Sequence, residues 1–439
     1  MKKNKQLNRR DFLKTTSLAA SFFIVPRFVL GRGFVAPSDK INLGFIGCGK
    51  QSNGLQNYFL NTGQVQFVGA SDVYKAKMDR FIVNLNKANQ SKGLPATNSC
   101  LPYPDFRELL HRKEIDAVII AVPDHWHSVI AVKACEAGKD VYCEKPLSKT
   151  VAEGRAMVNA ARKYNRVFQT GSMQRSWPEF RQAVELVRNG YIGEITQVVV
   201  NIDGPPKQFN LAAESVPDGL DWKFWLGPNT TSRPYNKMLA PSLAYESEIW
   251  PQWRAYDEFG GGGMTDWGAH MFDIAQWGLD MDKSGPVKVI PPVAGQNQGL
   301  IYEYSNGIQM IHQNNAGAAP FCQFTGTKGI VTVQRGALTT SPATLKDRVI
   351  GGNEQKVYLS TNHYLDFINA IHSRKMPVCD VETGHRTATV CNIGNIGYKL
   401  RRPLQWNPVT EKFVADPEAD KLLKRPMHHQ WRIDKYYTA

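Results

Sequence analysis

The sequence predicts an α/β fold: an N-terminal doubly wound Rossmann domain, then a C-terminal α+β domain with a large, mostly antiparallel open sheet. Three observations carry this expectation. Short apolar runs at 41–46, 66–70, 117–122, 140–143 and 167–169 alternate with helical patterns, the signature of parallel strands joined by crossover helices. Beyond Arg175 the runs lengthen and are separated by hairpin turns. The chain has 439 residues, 42% of them hydrophobic, which suffices for two ordinary cores.

Residues 1–36 stand apart. Asn8-Arg9-Arg10-Asp11-Phe12-Leu13-Lys14 precedes a short apolar run, 18–25, broken by Pro26 and Arg27. Paired arginines ahead of such a run are the address of the bacterial twin-arginine export route. The segment is expected to be a twin-arginine signal peptide, handled by that export machinery, and the protein periplasmic; the alternative is a plain basic tail. The run is too short to span a bilayer, and the first cysteine is Cys48, so no stable membrane anchor is expected. Because the route carries folded cargo, often with its cofactor, the leader also predicts a cofactor site.

The formal charge of +14 does not point to nucleic acid. Eight cations against Asp11 in residues 1–36 supply half of it, and no basic stripe interleaved with aromatics stands out in the rest. The seven cysteines are scattered without a CxxC pair, which reads as small core residues rather than a disulfide framework or zinc site.

The first domain is placed at 38–165, with helices over 106–112, 128–137 and 151–164 between its strands. The second is placed at 166–439. It opens with a helix over 180–189 and a strand over 194–203. Runs at 300–304 and 308–313 flank Ser305-Asn306-Gly307, and runs at 321–325 and 330–334 flank Gly326-Thr327-Lys328-Gly329, both hairpin signals. Helices near 363–373 and 384–400 follow.

The run at 41–46 leads into Gly47-Cys48-Gly49-Lys50-Gln51-Ser52-Asn53-Gly54 and then a helix. Glycines here let the backbone approach a pyrophosphate at a helix N-terminus. Ser52 stands where the strict GxGxxG pattern has glycine, and a serine there can cap the helix. The second strand ends at Asp72, where a carboxylate binds ribose hydroxyls and repels a 2′-phosphate, favouring NAD over NADP; a helix cap is the competing role. Lys145 follows Glu144 at the end of a parallel strand, and Pro123 leads to His125 and His127 at the neighbouring strand end. Both positions face the crevice where α/β sheets bind ligands.

In the second domain, Gly260-Gly261-Gly262-Gly263-Met264-Thr265-Asp266-Trp267-Gly268-Ala269-His270 runs on to Asp273. The glycines permit close approach, Thr265 can cap the next helix, and Asp266, His270 and Asp273 share one helical face. Read alone, Asp266 is more often a first-turn dipole partner and His270 a satisfied core histidine.

Gly47-x-Gly49, Asp72, Pro123 with His127, Glu144-Lys145-Pro146 and Asp266-x-x-x-His270 together resemble the Gfo/Idh/MocA family of sugar and inositol oxidoreductases. Gln169-Thr170-Gly171, Gln174-Arg175, 221–228 and 380–385 are similar to its twin-arginine-exported Bacteroidetes branch. The resemblance implies that Gly47, Gly49, Ser52, Gly54, Asp72, Pro123, His127, Glu144 and Lys145 bind NAD, and the leader adds the expectation that this NAD is carried out tightly bound, since little free NAD is available to exchange outside the cytoplasm. It implies Lys145, Asp266 and His270 as catalytic residues, His270 taking the hydroxyl proton, Lys145 stabilising the oxygen and Asp266 orienting. Gln174, Arg175, Trp225, Arg254 and Asp273 are weaker substrate candidates, with core packing or ion pairing as their other role. A metal held by His125, His127, Asp266 and His270 is not expected.

The implied activity is hydride transfer between a sugar or glycoside hydroxyl and bound NAD, by a self-associating protein. A redox-neutral glycoside-cleaving enzyme that oxidises and re-reduces its sugar is the first alternative. NAD-dependent N-acetylgalactosaminidases are similar in leader and first domain, although their second-domain site is not recognised here. A non-catalytic carbohydrate-binding relative is the second alternative, opposed by intact Lys145, Asp266 and His270.

Overall fold

The computed structural model describes residues 39–91 and 100–438. The leader expected over 1–36 lies outside them. Ile41 onward forms one compact unit built on two sheets.

The first sheet contains β1 (Ile41–Ile46), β2 (Val65–Ser71), β3 (Leu101–Tyr103), β4 (Ala117–Ile120), β5 (Asp140–Cys143) and β6 (Phe168–Thr170). Its order is β3-β2-β1-β4-β5-β6, and every pairing is parallel. β4 and β5 are buried throughout, as strands covered on both faces must be. Helices Ser52–Leu60, Lys75–Ser91, Asp124–Glu136 and Val151–Lys163 provide much of the cover. Thr150 caps the last of these, its hydroxyl accepting from the Glu153 N–H. The strand order turns back between β1 and β4, so the ends of those two strands open a crevice at the switch point.

The second sheet contains β7 (Ile195–Asn201), β8 (Lys288–Ile290), β9 (Ile301–Glu303), β10 (Gln309–Gln313), β11 (Phe321–Gly326), β12 (Gly329–Gln334), β13 (Ala337–Ser341), β14 (Leu404–Asn407) and β15 (Lys412–Phe413). The order is β13-β12-β11-β7-β10-β9-β8-β14-β15, with β7–β10 parallel and the other pairs antiparallel. Alternate residues such as Val198, Val200, Cys322, Phe324, Val331 and Val333 are buried in a core shared with helices Pro178–Arg188, Gly268–Gly278 and Val381–Leu400. Both expected hairpins form, and Gly307 supplies the left-handed turn residue at φ +85°. All seven cysteines are buried and free.

Three features differ from the sequence expectation. β3 and the seventeen-residue helix Lys75–Ser91 add to the first domain; the helix is rich in Lys and Asn and presents only a thin apolar stripe. The boundary drawn at 165/166 falls before β6, which pairs with β5. Nor does 166–439 stay with the second sheet: Phe367 and Ile368 pack into one first-domain core, and Met427, Trp431, Ile433 and Tyr436 into the other.

The Gly268–Gly278 helix is anchored by a buried ion-pair network. Arg175 donates to both Asp273 oxygens, each at 2.8 Å, and to Asp282 at 2.7 and 2.9 Å. Thr387 donates to Asp273 at 2.8 Å. Arg175 and Asp273 are therefore structural and not substrate ligands. Arg175→Met leaves two carboxylates without their cation, and we expect it to cost about 3–5 kcal/mol of stability, measured by urea denaturation. A midpoint within error of wild type would contradict this.

Candidate active site

A cavity of about 470 Å³ opens at the switch point and reaches Asp266, Trp267 and His270 of the second domain. Gly47, at φ +95°, ends β1; a Cβ there would lie 2.6 Å from the Ala121 carbonyl oxygen, so only glycine lets the β1 turn pass the end of β4. Gly49 has the opposite environment. Its nearest neighbour is Glu246 Oε1, 3.8 Å from where a Cβ would be, which leaves room for a ligand against the backbone. The nine-residue helix Ser52–Leu60 starts in this turn, directing its positive end toward an anion.

Asp72, at the end of β2, accepts from the Cys48 N–H at 2.7 Å and the Tyr74 N–H at 2.8 Å. Burial pushes its carboxyl pKa up, against the pull of Lys77 and both N–H groups. Each oxygen keeps a lone pair for a ribose hydroxyl. Glu246 reaches in from the second domain to pair with Lys77 at 2.9 Å and Arg80 at 2.5 Å, and Lys50 donates to the Glu246 carbonyl at 2.9 Å. These contacts strap the 243–250 segment over the mouth of the cavity.

At the inner end, Lys145 follows β5 and donates to Asp266 Oδ1 at 2.6 Å and to the Asp266 carbonyl at 3.0 Å. Arg254 lies 3.6 Å from the same carboxylate. Burial opposes the charged form of Asp266, but Lys145, Arg254 and Arg335 outweigh it and hold the carboxyl below its ordinary range. Arg335, at the β12–β13 hairpin tip, sits 3.0 Å from His270 Nε2 and donates to Gln174 at 3.0 Å. A guanidinium only donates, so Nε2 is the accepting nitrogen and the proton resides on Nδ1, which is buried without a partner. Burial, reinforced by Lys145 and Arg335, drives the His270 pKa well below the histidine range. The imidazole is neutral.

Two further acids line the cavity. Burial raises the Glu144 carboxyl despite Lys145, and it raises Asp124 to about 7 despite Arg254. Asp124 Oδ1 is buried without a partner. Such orphaned atoms as Asp124 Oδ1 and His270 Nδ1, together with the open approach at Gly49, fit a bound polar ligand.

Gly47, Gly49, Asp72, Pro123, His127, Glu144, Lys145, Trp225, Arg254, Asp266 and His270 all line this one cavity. Other sequence candidates do not. Ser52 is no cap: Gln51 takes the cap position without a side-chain bond, and the Ser52 hydroxyl donates to the Gly49 carbonyl at 2.6 Å, shaping the turn. At Gly54 a Cβ would meet only the Tyr58 ring, at 3.4 Å, an ordinary contact. Thr265 lies inside the short helix Gly263–Asp266, whose cap is Gly262. Gln174 lies behind the wall and supports Arg335, while Arg175 and Asp273 belong to the network above. The His127 ring nitrogens lie 2.8 and 2.9 Å from the Pro146 and Val122 carbonyls; the one N–H of the neutral ring can donate to the Pro146 carbonyl and so steady the Lys145 loop. Among the described residues no cluster suited to a metal occurs.

Arg335, Glu246, Lys77 and Asp124 are the site residues that sequence reasoning missed. Only Arg335 had a local signal, the Arg335-Gly336 turn with Gly336 at φ +74°.

Residues 41–172 match the NAD-binding Rossmann model of the Gfo/Idh/MocA oxidoreductase family, and residues 200–433 match its C-terminal α/β domain model. The chain belongs to the Gfo/Idh/MocA family. A "Glycosyl hydrolase family 109 protein" of Shewanella baltica is 29% identical over 206 residues, 43% of this chain and 44% of its own length. The chain thus spans less than half the length of the curated relatives it matches. The aldose-aldose oxidoreductase of Caulobacter crescentus is similar in fold, with TM-score 0.56 and 16% identity over 83% of this chain and 99% of that one. So is the WlbA dehydrogenase of Bordetella pertussis, solved with NADH and UDP-GlcNAcA, with TM-score 0.57 and 17% identity over 84% and 99%.

The two glycines of this Gfo/Idh/MocA turn make separable predictions. Gly49→Val should leave the melting temperature near wild type but abolish NAD binding in a calorimetric titration. Gly47→Ala should lower both. Undiminished NAD binding by Gly49→Val would contradict the placement of the nucleotide.

Proposed function

We propose that the protein transfers hydride between a sugar or glycoside hydroxyl and a tightly bound NAD. The observation that carries this reading is the Lys145–Asp266 contact beside neutral His270, at the inner end of the cavity that begins at Gly47 and Gly49. The first-domain family model and the sugar-acting proteins of similar fold support it. NAD, when bound, supplies the hydride acceptor. Lys145 donates to the substrate oxygen and stabilises the charge that develops there. Asp266 fixes the direction of the ammonium. The His270 Nε2 lone pair accepts the hydroxyl proton once the substrate hydroxyl takes the place of the Arg335 N–H.

One relationship favours a second reading. The relatives named as glycosyl hydrolase family 109 proteins support a redox-neutral cycle in which the keto sugar formed first eliminates its leaving group, water adds across the resulting double bond, and the ketone is then reduced again by the NADH formed in the first step. Incubation with a panel of glycosides, following both absorbance at the NADH band and products, separates the two. Ketone with NADH supports the dehydrogenase, and cleaved glycoside without net NADH supports the cycle. In either case Lys145→Met should lower turnover at least about 10²-fold, the scale of losing one preorganised donor, while NAD stays bound. Unchanged turnover would sink the assignment.

The pH profile tests His270. The active form is neutral and its pKa is depressed, so kcat/KM should hold as pH falls through the ordinary histidine range and decline only below it. Arg335→Gln removes one of the cations that depress it, so the acidic limb should move to higher pH. A limb that stays in place would exclude His270 as the base.

We further propose that the Arg9-Arg10 leader directs export with NAD already in place. The 243–250 strap, pinned by Lys77, Arg80 and Lys50, supports slow exchange of the nucleotide. Protein purified from a periplasmic fraction should release NAD on denaturation; nucleotide-free protein that turns over with freely exchanging NAD would refute this.

A further inference from the structure

A second cavity, of about 560 Å³, is bounded by residues 149–150, 205–208, 229–231, 392–401 and 421–426, and it shares no lining residue with the catalytic one. Its size is that of a small-ligand site. Six basic side chains line it against two acids. Glu258 is already paired with Arg233 at 2.9 Å and Arg425 with buried Glu153 at 2.6 Å, which leaves Asp257 as the lining acid facing the remaining cations.

Three groups in its wall are under-satisfied. The Lys149 side chain is only 10% exposed, and its carboxylate partner, Asp257, stands 3.4 Å away, so a nearly buried ammonium with three donors holds one long contact. Asn229, 9% exposed, accepts from Arg425 through Oδ1 while its Nδ2 is buried without a partner. Asn395 donates to the Gly261 carbonyl at 2.9 Å, and its Oδ1 is likewise buried and unpartnered. Lys421 and Lys424 are exposed at the rim and form no ion pair among the described residues. Buried polar atoms left unpaired in this way are costly unless a ligand or water completes them.

We propose that this cavity binds an anionic saccharide. Its carboxylate or sulfate is held by Lys149 with Lys421 and Lys424, and its hydroxyls by the unpartnered amide atoms of Asn229 and Asn395, which a small side-chain shift brings to the cavity surface. A bare anion satisfies the cations and Asn229 Nδ2 but cannot donate to Asn395 Oδ1. A sugar hydroxyl can do both. The positive rim supplies long-range attraction that salt weakens.

Calorimetric titration of the full-length protein with trigalacturonate, with neutral maltotriose and with sodium sulfate tests this. Trigalacturonate should bind at one site, more weakly as salt rises. The K421E/K424E double variant changes only exposed residues, so its thermal melt should match wild type; it should weaken binding by about tenfold or more, as reversal of facing charges does. Lys145→Met, altered in the other cavity, should bind as wild type does. Equal binding of maltotriose, unchanged affinity in K421E/K424E, loss of binding in Lys145→Met, or sulfate competing as well as trigalacturonate would each overturn the proposal. None of these outcomes depends on turnover in the catalytic cavity.

Discussion

Lys145 follows the end of β5 in the first sheet, Asp266 ends the short helix Gly263–Asp266 that follows the glycine run, and the two meet at 2.6 Å with their side chains 15% and 27% exposed. A partly buried charge pair of this kind depends on its geometry, and Arg254, 3.6 Å from the same carboxylate, gives Asp266 a second cation. The pair therefore ties the segment after β5 to the helix Gly263–Asp266 at the cavity wall. It also sets the electrostatics around it. The ammonium helps hold His270 neutral, opposes the burial that raises Glu144, and with Arg254 and Arg335 keeps Asp266 ionised.

The pair can form only because backbone gives way to it. Gly47 lets β1 turn within contact distance of the β4 end, and Gly262 and Gly263 pass so close to residues 203–206 that a Cβ would meet that backbone at 2.5 and 2.6 Å. Each glycine run thus brings its segment to the crevice from one side. The helices beyond the second run carry Asp266 and His270. Where a side chain was not excluded by contact, as at Gly54, the structure shows no need for glycine.

Local pattern carried far into this site. A strand followed by glycines, an acid after the second strand and a lysine after the fifth are short-range signals with a direct mechanical meaning, and all reach the cavity. The misses have one origin. Lys77 and Glu246 are 169 residues apart, and Gln174 and Arg335 are 161 apart; no local periodicity joins such partners. Arg175 looked like a substrate ligand because a buried ion pair and a substrate clamp use the same residue types. Ser52 and Thr265 looked like caps because capping depends on backbone angles that a serine or threonine permits but does not enforce.

The sequence by itself determined the two-sheet architecture and which segments carry the glycine turn, Lys145, Asp266 and His270, since these follow from hydrophobic period and from residues adjacent along the chain; the proposed roles of those three side chains came from the family resemblance. Only the tertiary structure decided which polar residues face the cavity and in what charge state. Arg335 lies on His270 Nε2, Arg175 is locked into Asp273 and Asp282, and the C-terminal segment returns to the first domain. The physical reason is that charge state depends on burial and on neighbours brought together across long loops, and neither is set until the chain has closed on itself.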